Sequence, residues 1–491
     1  MNNQKKDSFI KRASQLFTGN LFAQLLIIGS APILTRLFTP EELGILGLFM
    51  AITFVFSSLT TMRYESALVV EKSYVGKQAI VTLCIILLLL STLVYLLIVF
   101  FLYFLNITFG TLNLLGDYLL LIPFGIFCIG FYRLLTFLAI RAQELKKIGT
   151  TRFQQGFFMV ASQFIFGLAN SGYGGLILGQ LIGLSAGIHK LLDLISFQKI
   201  FKIIKHKKSH IFLIASRYKR FFKFSLPGDL LNIGSIQLPI IILTSLFSPV
   251  ISGFYVLAER VFRSPIAMMS DTVSKSILSV ASEANRRGKL YKFSILFMEP
   301  LIKISLLAFV IFSYLAPEIF SIIFGNDWRE AGVYASKMTP LFWSIFVFVP
   351  AIGLMTIMQL QKLELFFQSS LLIFSLSGII VGYVLNDVRL SISLFSIAGF
   401  CIYSFFGLWT LFIAKINKKK LFYCFIKEIS ILGIIILVWS LSSKNILDYS
   451  NIFVIVFYSF IFIYLIYLYK TIKKQMKDLG NFADKLLSEN P

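Results

Sequence analysis

The stretch GNLFAQLLIIGSAPILTRLFTPEELGILGLFMA, residues 19–51, aligns without gaps on GDLLNIGSIQLPIIILTSLFSPVISGFYVLAER, residues 228–260. Identical pairs include Gly19 with Gly228, Leu34 and Thr35 with Leu243 and Thr244, Leu37 and Phe38 with Leu246 and Phe247, Pro40 with Pro249, and Gly44 with Gly253. Two apolar segments readily share leucines, but co-registered Gly, Thr, Pro and Gly do not follow from hydrophobicity. Proline cannot continue a helix interior, and Thr39 or Ser248 can cap the next helix through its hydroxyl. Each segment therefore predicts a helix, a tight turn and a second helix.

Working outward, the chain of 491 residues contains fourteen runs long enough to cross a bilayer, each near the 20 apolar residues a spanning helix needs. They lie near 15–37, 41–62, 78–105, 118–140, 153–170, 173–195, 224–246, 250–280, 293–316, 333–357, 365–385, 392–413, 428–443 and 452–470. The fifth and thirteenth are the weakest, being short. The repeat pairs the first span with the seventh. Six spans, an even number, separate them, so both halves enter the membrane in the same direction, related by an axis along the membrane normal. Several secondary transporters use such parallel repeats, with the substrate site between the halves. The expected organisation is an all-α polytopic protein with a six-helix bundle at 1–195, a basic linker at 196–223, a second six-helix bundle at 224–413, two additional helices at 414–470 and a tail at 471–491.

Composition agrees. Hydrophobic residues make up 57% and charged residues only 14%, with a mean hydropathy of +0.84, whereas soluble domains carry roughly 25% charged residues. A water-soluble enzyme, a secreted domain and a disordered scaffold are all disfavoured. Cys84, Cys128, Cys401 and Cys424 sit in or beside apolar runs at no paired or metal-ligand spacing and read as small core residues. His206 and His210 have i,i+4 spacing, but no carboxylate or cysteine accompanies them, so no metal or other cofactor is expected.

The net charge of +23, from 46 basic and 23 acidic residues, would suggest nucleic acid in a soluble protein. Its distribution points elsewhere. The connections on one side hold only Arg329, Arg389 and Lys444, eight basic residues fall within spans, and all the others lie on the side of the N-terminus. The positive-inside rule makes that side cytoplasmic, termini included. Lys199–Lys223 is the densest basic stretch and should lie along anionic lipid headgroups. The first span follows Lys5, Lys6, Lys11 and Arg12 like a signal peptide, but it is too long and leads straight into a second span, so it should stay uncleaved.

Charges at membrane depth are functional candidates, because insertion costs about 2.5–3.5 kcal/mol each. The spans hold Arg36, Arg133, Lys190, Arg260, Arg263, Lys275, Lys303 and Lys337 against Asp193, Asp229, Glu259, Asp271 and Glu299. At a rise of about 1.5 Å per residue, Glu259 to Arg263 lies about 13–20 Å into the eighth span, close to the midplane of a core roughly 30 Å thick. Arg260 and Arg263, three apart on one face, can hold a diphosphate, with Pro265 bending the helix behind them. The competing arrangement is a Glu259–Arg263 structural pair. Lys303 is also near mid-depth, with Glu299 one turn away. Arg36 and Arg63 stand at helix ends, Glu65 can latch one state of a gate, and Arg133 lies in the inner leaflet. Asp229 has Asn20 as its repeat partner, so the shared fold does not demand the acid. It is the first candidate for coupling to a proton or sodium ion. Lys190 with Asp193 and Asp271 with Lys275 read as local pairs.

LTRLFTPEELGILGLF (Leu34 to Phe49), RYESALVV (Arg63 to Val70) and FGNDWREAG (Phe324 to Gly332) resemble segments of the polysaccharide-biosynthesis flippases, the Wzx-type O-antigen translocases of the multidrug, oligosaccharidyl-lipid and polysaccharide exporter superfamily. The resemblance implies a MATE-like pair of six-helix bundles working by alternating access in a bacterial inner membrane. It also implies an undecaprenyl-pyrophosphate-linked oligosaccharide, an O-antigen or capsule repeat unit, moved from the cytoplasmic to the periplasmic leaflet and passed to a polysaccharide polymerase and chain-length regulator. The substrate-binding candidates are then Arg260, Arg263, Arg36, Arg63, Arg133 and Lys303, and the ion-coupling or gating candidates Asp229, Glu259 and Glu65. Trp328, in the third motif, reads as a sugar platform or a membrane-surface anchor. The alternatives are a multidrug or metabolite cation antiporter of the same fold, a lipid II flippase, and a membrane glycosyltransferase or polymerase. The last would need a metal or nucleotide-sugar motif, which the chain does not present.

Overall fold

The computed structural model describes residues 2–105, 110–196 and 208–414, with isolated positions in 198–203 and 470–478. The expected spans at 428–443 and 452–470, Lys470 apart, lie outside the described residues. No strand occurs among those described. Twelve long helices do: α1 (Asn2–Leu37), α2 (Pro40–Ser57), α3 (Tyr74–Phe104), α4 (Ile122–Arg141), α5 (Leu145–Leu168), α6 (Gly172–Ser185), α7 (Leu226–Leu246), α8 (Pro249–Arg286), α9 (Leu290–Phe324), α10 (Arg329–Ile357), α11 (Gln361–Val384) and α12 (Val388–Ile413). They overlap one for one with the first twelve expected spans, α6 ending at Ser185 where the sixth was expected to reach about 195.

Ten of the twelve lie in segments apolar and long enough to cross a membrane, α6 as part of Gly172–Leu192. The exceptions are α5 and α8. α5 is not short, at 24 residues; its composition sets it apart, with Lys146, Lys147, Arg152, Gln154, Gln155 and Gln163 along it. α8 carries Glu259, Arg260 and Arg263 within five residues. Charge at that density is retained in a membrane helix when it lines a cavity or pairs internally.

The chain forms two compact units, one of residues 1–264, 317–335 and 372–394, the other of residues 265–316, 336–371 and 395–491. In the first, α2 opens with a capping box: the Glu42 backbone N–H donates to Thr39 Oγ1 at 3.3 Å, and the Thr39 N–H donates to Glu42 Oε2 at 2.7 Å. The equivalent cap of α8 is the Ile251 N–H donating to Ser248 Oγ at 3.3 Å. Such caps contribute about 1 kcal/mol each. Immediately after them the two repeat hairpins meet. A methyl placed on Gly44 would fall 1.9 Å from the carbonyl oxygen of Pro249, and one on Gly253 would fall 1.8 Å from that of Pro40.

Small residues set the other close approaches, as expected where lipid supplies no hydrophobic drive between helices. Gly19 of α1 lies on Gly149 of α5, and Gly179 and Gly183 of α6 lie on Gln163 and Met159 of α5. Gln163, fully buried, donates from Nε2 to the Leu176 carbonyl at 3.1 Å.

The second unit is organised around Phe293, Met298, Ile302, Val347, Phe348 and Leu411. Pro340 inside α10 leaves the Ser336 carbonyl without its usual helical donor, and the Ser313 hydroxyl of α9 donates to that oxygen at 3.3 Å. A neighbouring helix thus satisfies the freed backbone group, as membrane interiors require.

Candidate functional site

α2 was expected to run to about residue 62, but it ends at Ser57. The sequence SSLTT explains the break. Ser57, Ser58 and Thr60 turn their hydroxyls onto the carbonyls of Phe54, Val55 and Ser57 at 2.7–2.8 Å, a local alternative to helix continuation. Met62 and Arg63 then adopt left-handed backbone, φ 50° and 63°. For residues other than glycine this costs on the order of 1–3 kcal/mol, and such strain collects at functional positions. The reversal leads into a 3-10 turn at Tyr64–Ser66.

Four of the sequence candidates converge at this reversal. Arg63 Nη2 lies 3.2 Å from Asp229 Oδ1 and Arg63 Nη1 lies 3.8 Å from Glu65 Oε1. Arg133 Nη1, from the middle of α4, is 4.0 Å from Asp229 Oδ2, and its Nη2 donates to Ser57 Oγ at 3.5 Å. Asp229 stands in the first turn of α7, behind a π-helical turn at Phe221–Ser225, where the helix N-terminus favours a carboxylate. The quartet carries two positive and two negative groups. Its side chains are 24% (Arg63), 18% (Arg133), 14% (Asp229) and 0% (Glu65) exposed.

The pairing is incomplete. Both Glu65 oxygens, Asp229 Oδ2, Arg63 Nε and Arg133 Nη1 are buried without a hydrogen bond among the described residues. A structural ion pair at this burial normally satisfies its donors and acceptors at 2.7–2.9 Å. Contacts of 3.2–4.0 Å leave both guanidinium groups available to a better acceptor. Chemically, the quartet can exchange one anion for another.

A second position lies in α8. Arg260 lines a narrow cleft with Thr35, Phe38, Leu43, Leu257 and Trp328 and has neither ion pair nor hydrogen bond among the described residues. Arg263 does not join it. Its Nη1 donates to Glu259 Oε1 at 2.6 Å, and the Tyr255 hydroxyl donates to the same oxygen at 3.1 Å. The structural pair weighed from the sequence is thus formed, and of the two arginines only Arg260 has no ion pair among the described residues.

Of the other candidates, Arg36 is exposed in the last turn of α1. Lys303 is buried in the second unit, its Nζ donating to Glu299 Oε1 at 2.7 Å. Asp193, the C-cap of a short helix at His189–Leu192, pairs with Lys147 at 3.8 Å rather than with Lys190. The side chains of Asp271 and Lys275, and His206, lie outside the described residues, while His210 is exposed; no metal-binding group of side chains occurs among those described. Trp328 is neither platform nor surface anchor. It is 2% exposed, its Nε1 donates to the Thr35 carbonyl at 2.9 Å and its ring meets Phe254 edge-on. Gly325, at φ 107°, makes the turn that sends it inward.

Sequence reading missed Ser57, whose hydroxyl receives Arg133, although the run of four hydroxyl residues in SSLTT was the available signal. It also missed Glu71, a buried carboxylate outside the spans. Glu71 Oε1 accepts from the Ser73 N–H at 2.7 Å and Oε2 from the Tyr218 hydroxyl at 2.9 Å, with Arg217 at 3.6 Å. Arg141 donates to the Glu71 and Leu68 carbonyls. The Ser73 N–H first, then Tyr218, Arg217 and Arg141, hold the Glu71 carboxyl below the usual carboxylate range against the opposing effect of burial.

The profile of the family described as polysaccharide biosynthesis protein matches residues 33–333. No curated protein matches the chain. Among solved structures, the lipid II flippase MurJ in an inward closed conformation is similar, 15% identical with a TM-score of 0.68 over 94% of this chain and 99% of that one. An inward-facing multidrug resistance MATE family transporter of the MOP superfamily is 13% identical, TM-score 0.56, over 83% and 98%. MATE in complex with MaD3S is 13% identical, TM-score 0.52, over 83% and 96%. At these identities the likeness is one of fold, and the fold is that of the MATE and MurJ transporters.

Proposed function

The chain belongs to the family of polysaccharide biosynthesis proteins, and on that premise we propose that it is a flippase for an undecaprenyl-pyrophosphate-linked oligosaccharide. The cargo is an O-antigen or capsule repeat unit, carried from the cytoplasmic to the periplasmic leaflet of a bacterial inner membrane and passed to a polymerase and chain-length regulator. In this reading both termini and the Arg63 end of α2 are cytoplasmic, by the distribution of Lys and Arg. The Pro40 and Pro249 turns face the periplasm, and the halves 1–195 and 224–413 alternate access.

One observation carries the proposal: Arg63 and Arg133 share a single carboxylate, Asp229, at distances a diphosphate can improve on. A pyrophosphate arriving from the cytoplasmic leaflet offers each guanidinium short bidentate bonds. Asp229 and Glu65, released from the arginines, are then free to take up a proton or sodium ion, which links cargo entry to ion movement. Asp229 is 17 residues from the end of α7, about 26 Å, and Arg260 is 11 residues from the start of α8, about 16 Å. Arg260 is therefore a second station roughly 10 Å nearer the periplasmic turn, and Arg36 stands at the exit. Glu259 keeps Arg263 neutralised, so the second station presents one positive charge. No bond in the cargo is made or broken.

A cavity for cationic drugs should place an acid at mid-depth; here the mid-depth group without an ion pair among the described residues is an arginine, Arg260. The discriminating experiment is reconstitution in vesicles with three cargoes. Movement of a prenyl-pyrophosphate oligosaccharide in preference to lipid II and to a cationic drug is expected. Movement of the drug alone would overturn the proposal, and preference for lipid II would reassign the cargo.

A further inference from the structure

The linker segment packs one face and leaves the other unpartnered. Ile211, Ile214, Ala215, Tyr218 and Phe221 rest on the core that contains Tyr64, Leu68 and Leu138, a helical spacing that fixes which side faces away. On that side Phe212 is 77% exposed, Leu213 63% and Phe224 71%. Lys219, Arg220 and Lys223 are exposed among them, and no acidic residue occurs between Asp193 and Asp229. The segment runs into a helix apolar enough to cross a membrane, Phe221–Leu246, so this face stands at the head of a span. Exposed aromatics interleaved with unopposed basic groups at that depth match one partner, the surface of a bilayer containing anionic phospholipid.

The same segment is bonded to the residue that lies between two members of the quartet. The Tyr64 hydroxyl donates to the Ala215 carbonyl at 3.2 Å, and Tyr64 stands between Arg63 and Glu65. Arg217 and Tyr218 hold Glu71, and twelve residues past Arg217 the chain reaches Asp229. A shift of the linker helix thus acts on Arg63 and Glu65 through Tyr64 and on Asp229 through the backbone.

We propose that the outward face of residues 209–224 reads anionic lipid and, through Tyr64 and the lead into α7, sets how readily the Arg63–Asp229 pair opens. The regulatory half rests on the flippase reading; the lipid-binding half does not. The test uses the full chain in vesicles with and without phosphatidylglycerol, carrying Phe212→Trp as a reporter. Brominated phosphatidylglycerol should quench the reporter more strongly than brominated phosphatidylcholine, and Lys219→Gln/Arg220→Gln/Lys223→Gln should abolish the difference. Cargo movement should rise on the order of threefold with phosphatidylglycerol, and the triple variant should keep the rate in neutral lipid while losing the rise. Equal quenching by both lipids would overturn the surface, and an undiminished rise in the triple variant would overturn the regulation. Selective quenching with no cargo movement in any lipid would support the surface and sink the flippase reading.

Discussion

Gly44 lies directly against the backbone carbonyl of Pro249, and its repeat counterpart Gly253 lies in the same way against the carbonyl of Pro40. Gly44 thus meets the repeat counterpart of Pro40, and Gly253 the counterpart of Pro249, the isologous arrangement a two-fold axis produces. In the proposed flippase this contact closes the periplasmic ends of the hairpins, and release of the cargo would require it to part. Gly44→Val or Gly253→Val drives a branched side chain into the backbone of the facing proline, biasing against closure by roughly 1–3 kcal/mol. Ser252, fully buried beside Gly44, supplies the readout. Ser252→Cys in a background without other cysteines should react with a water-soluble maleimide about tenfold faster when Gly44→Val is present. Gly29→Ala, where nothing lies within 4 Å of the added methyl, should leave labelling and transport unchanged.

Asp229→Asn keeps the shape of the side chain and removes the charge shared by Arg63 and Arg133. Charge-assisted contacts of this kind contribute about 1.5–3 kcal/mol, so transport should fall about ten- to hundredfold while the protein still inserts. If the quartet were only structural, Arg63→Ala/Asp229→Ala would function as well as either single variant or better. Accumulation of lipid-linked repeat units on the inner leaflet at a level no lower in the double variant supports the transport role.

Arg260 and Arg263 separate cleanly by partner. Arg260→Ala leaves no carboxylate orphaned and should impair transport with little loss of stability. Arg263→Ala leaves Glu259 with Tyr255 but without its cation, and should lower stability by about 1–3 kcal/mol. Thermal unfolding followed by tryptophan fluorescence distinguishes the two; equal destabilisation would show that Arg260 has a structural partner after all.

Glu71, through Tyr218 and Arg217, latches the linker segment to the end of the first hairpin, and its titration sets an acid limit on that latch. Its carboxyl is held low chiefly by the Ser73 N–H and then by Tyr218, Arg217 and Arg141. A depressed carboxylate stabilises the fold fully above its unfolded value, about 4.3 for glutamate, and that contribution disappears as pH falls through the lowered folded value. Unfolding of the wild type should therefore become easier below about pH 4, whereas Glu71→Gln should be weaker at neutral pH and lack that part of the acid dependence. Parallel pH profiles for the two would exclude the latch.

The helices were legible because hydrophobic runs of spanning length have few alternative folds, and the Pro and Gly pairs were legible because turns and close approaches need those residue types. Arg63, Glu65, Arg133 and Asp229 were each visible as charges at or near membrane depth. Their convergence was not, since it depends on the hydroxyl-rich break after Ser57 and the left-handed Arg63, which no periodicity signals. The choice between Arg260 and Arg263 turned on a rotamer, the one that brings Arg263 to Glu259. Trp328 misled for a similar reason: Gly325 marked a turn, but not that the turn points inward to Thr35.

Binding of an undecaprenyl-pyrophosphate oligosaccharide to the purified protein in nanodiscs tests the central claim most directly. Wild type should bind it, and Arg63→Ala and Arg133→Ala should each weaken binding about tenfold or more, with a smaller loss for the corresponding prenyl monophosphate. Undiminished affinity in both variants would contradict the assignment of the quartet as the site that receives the pyrophosphate.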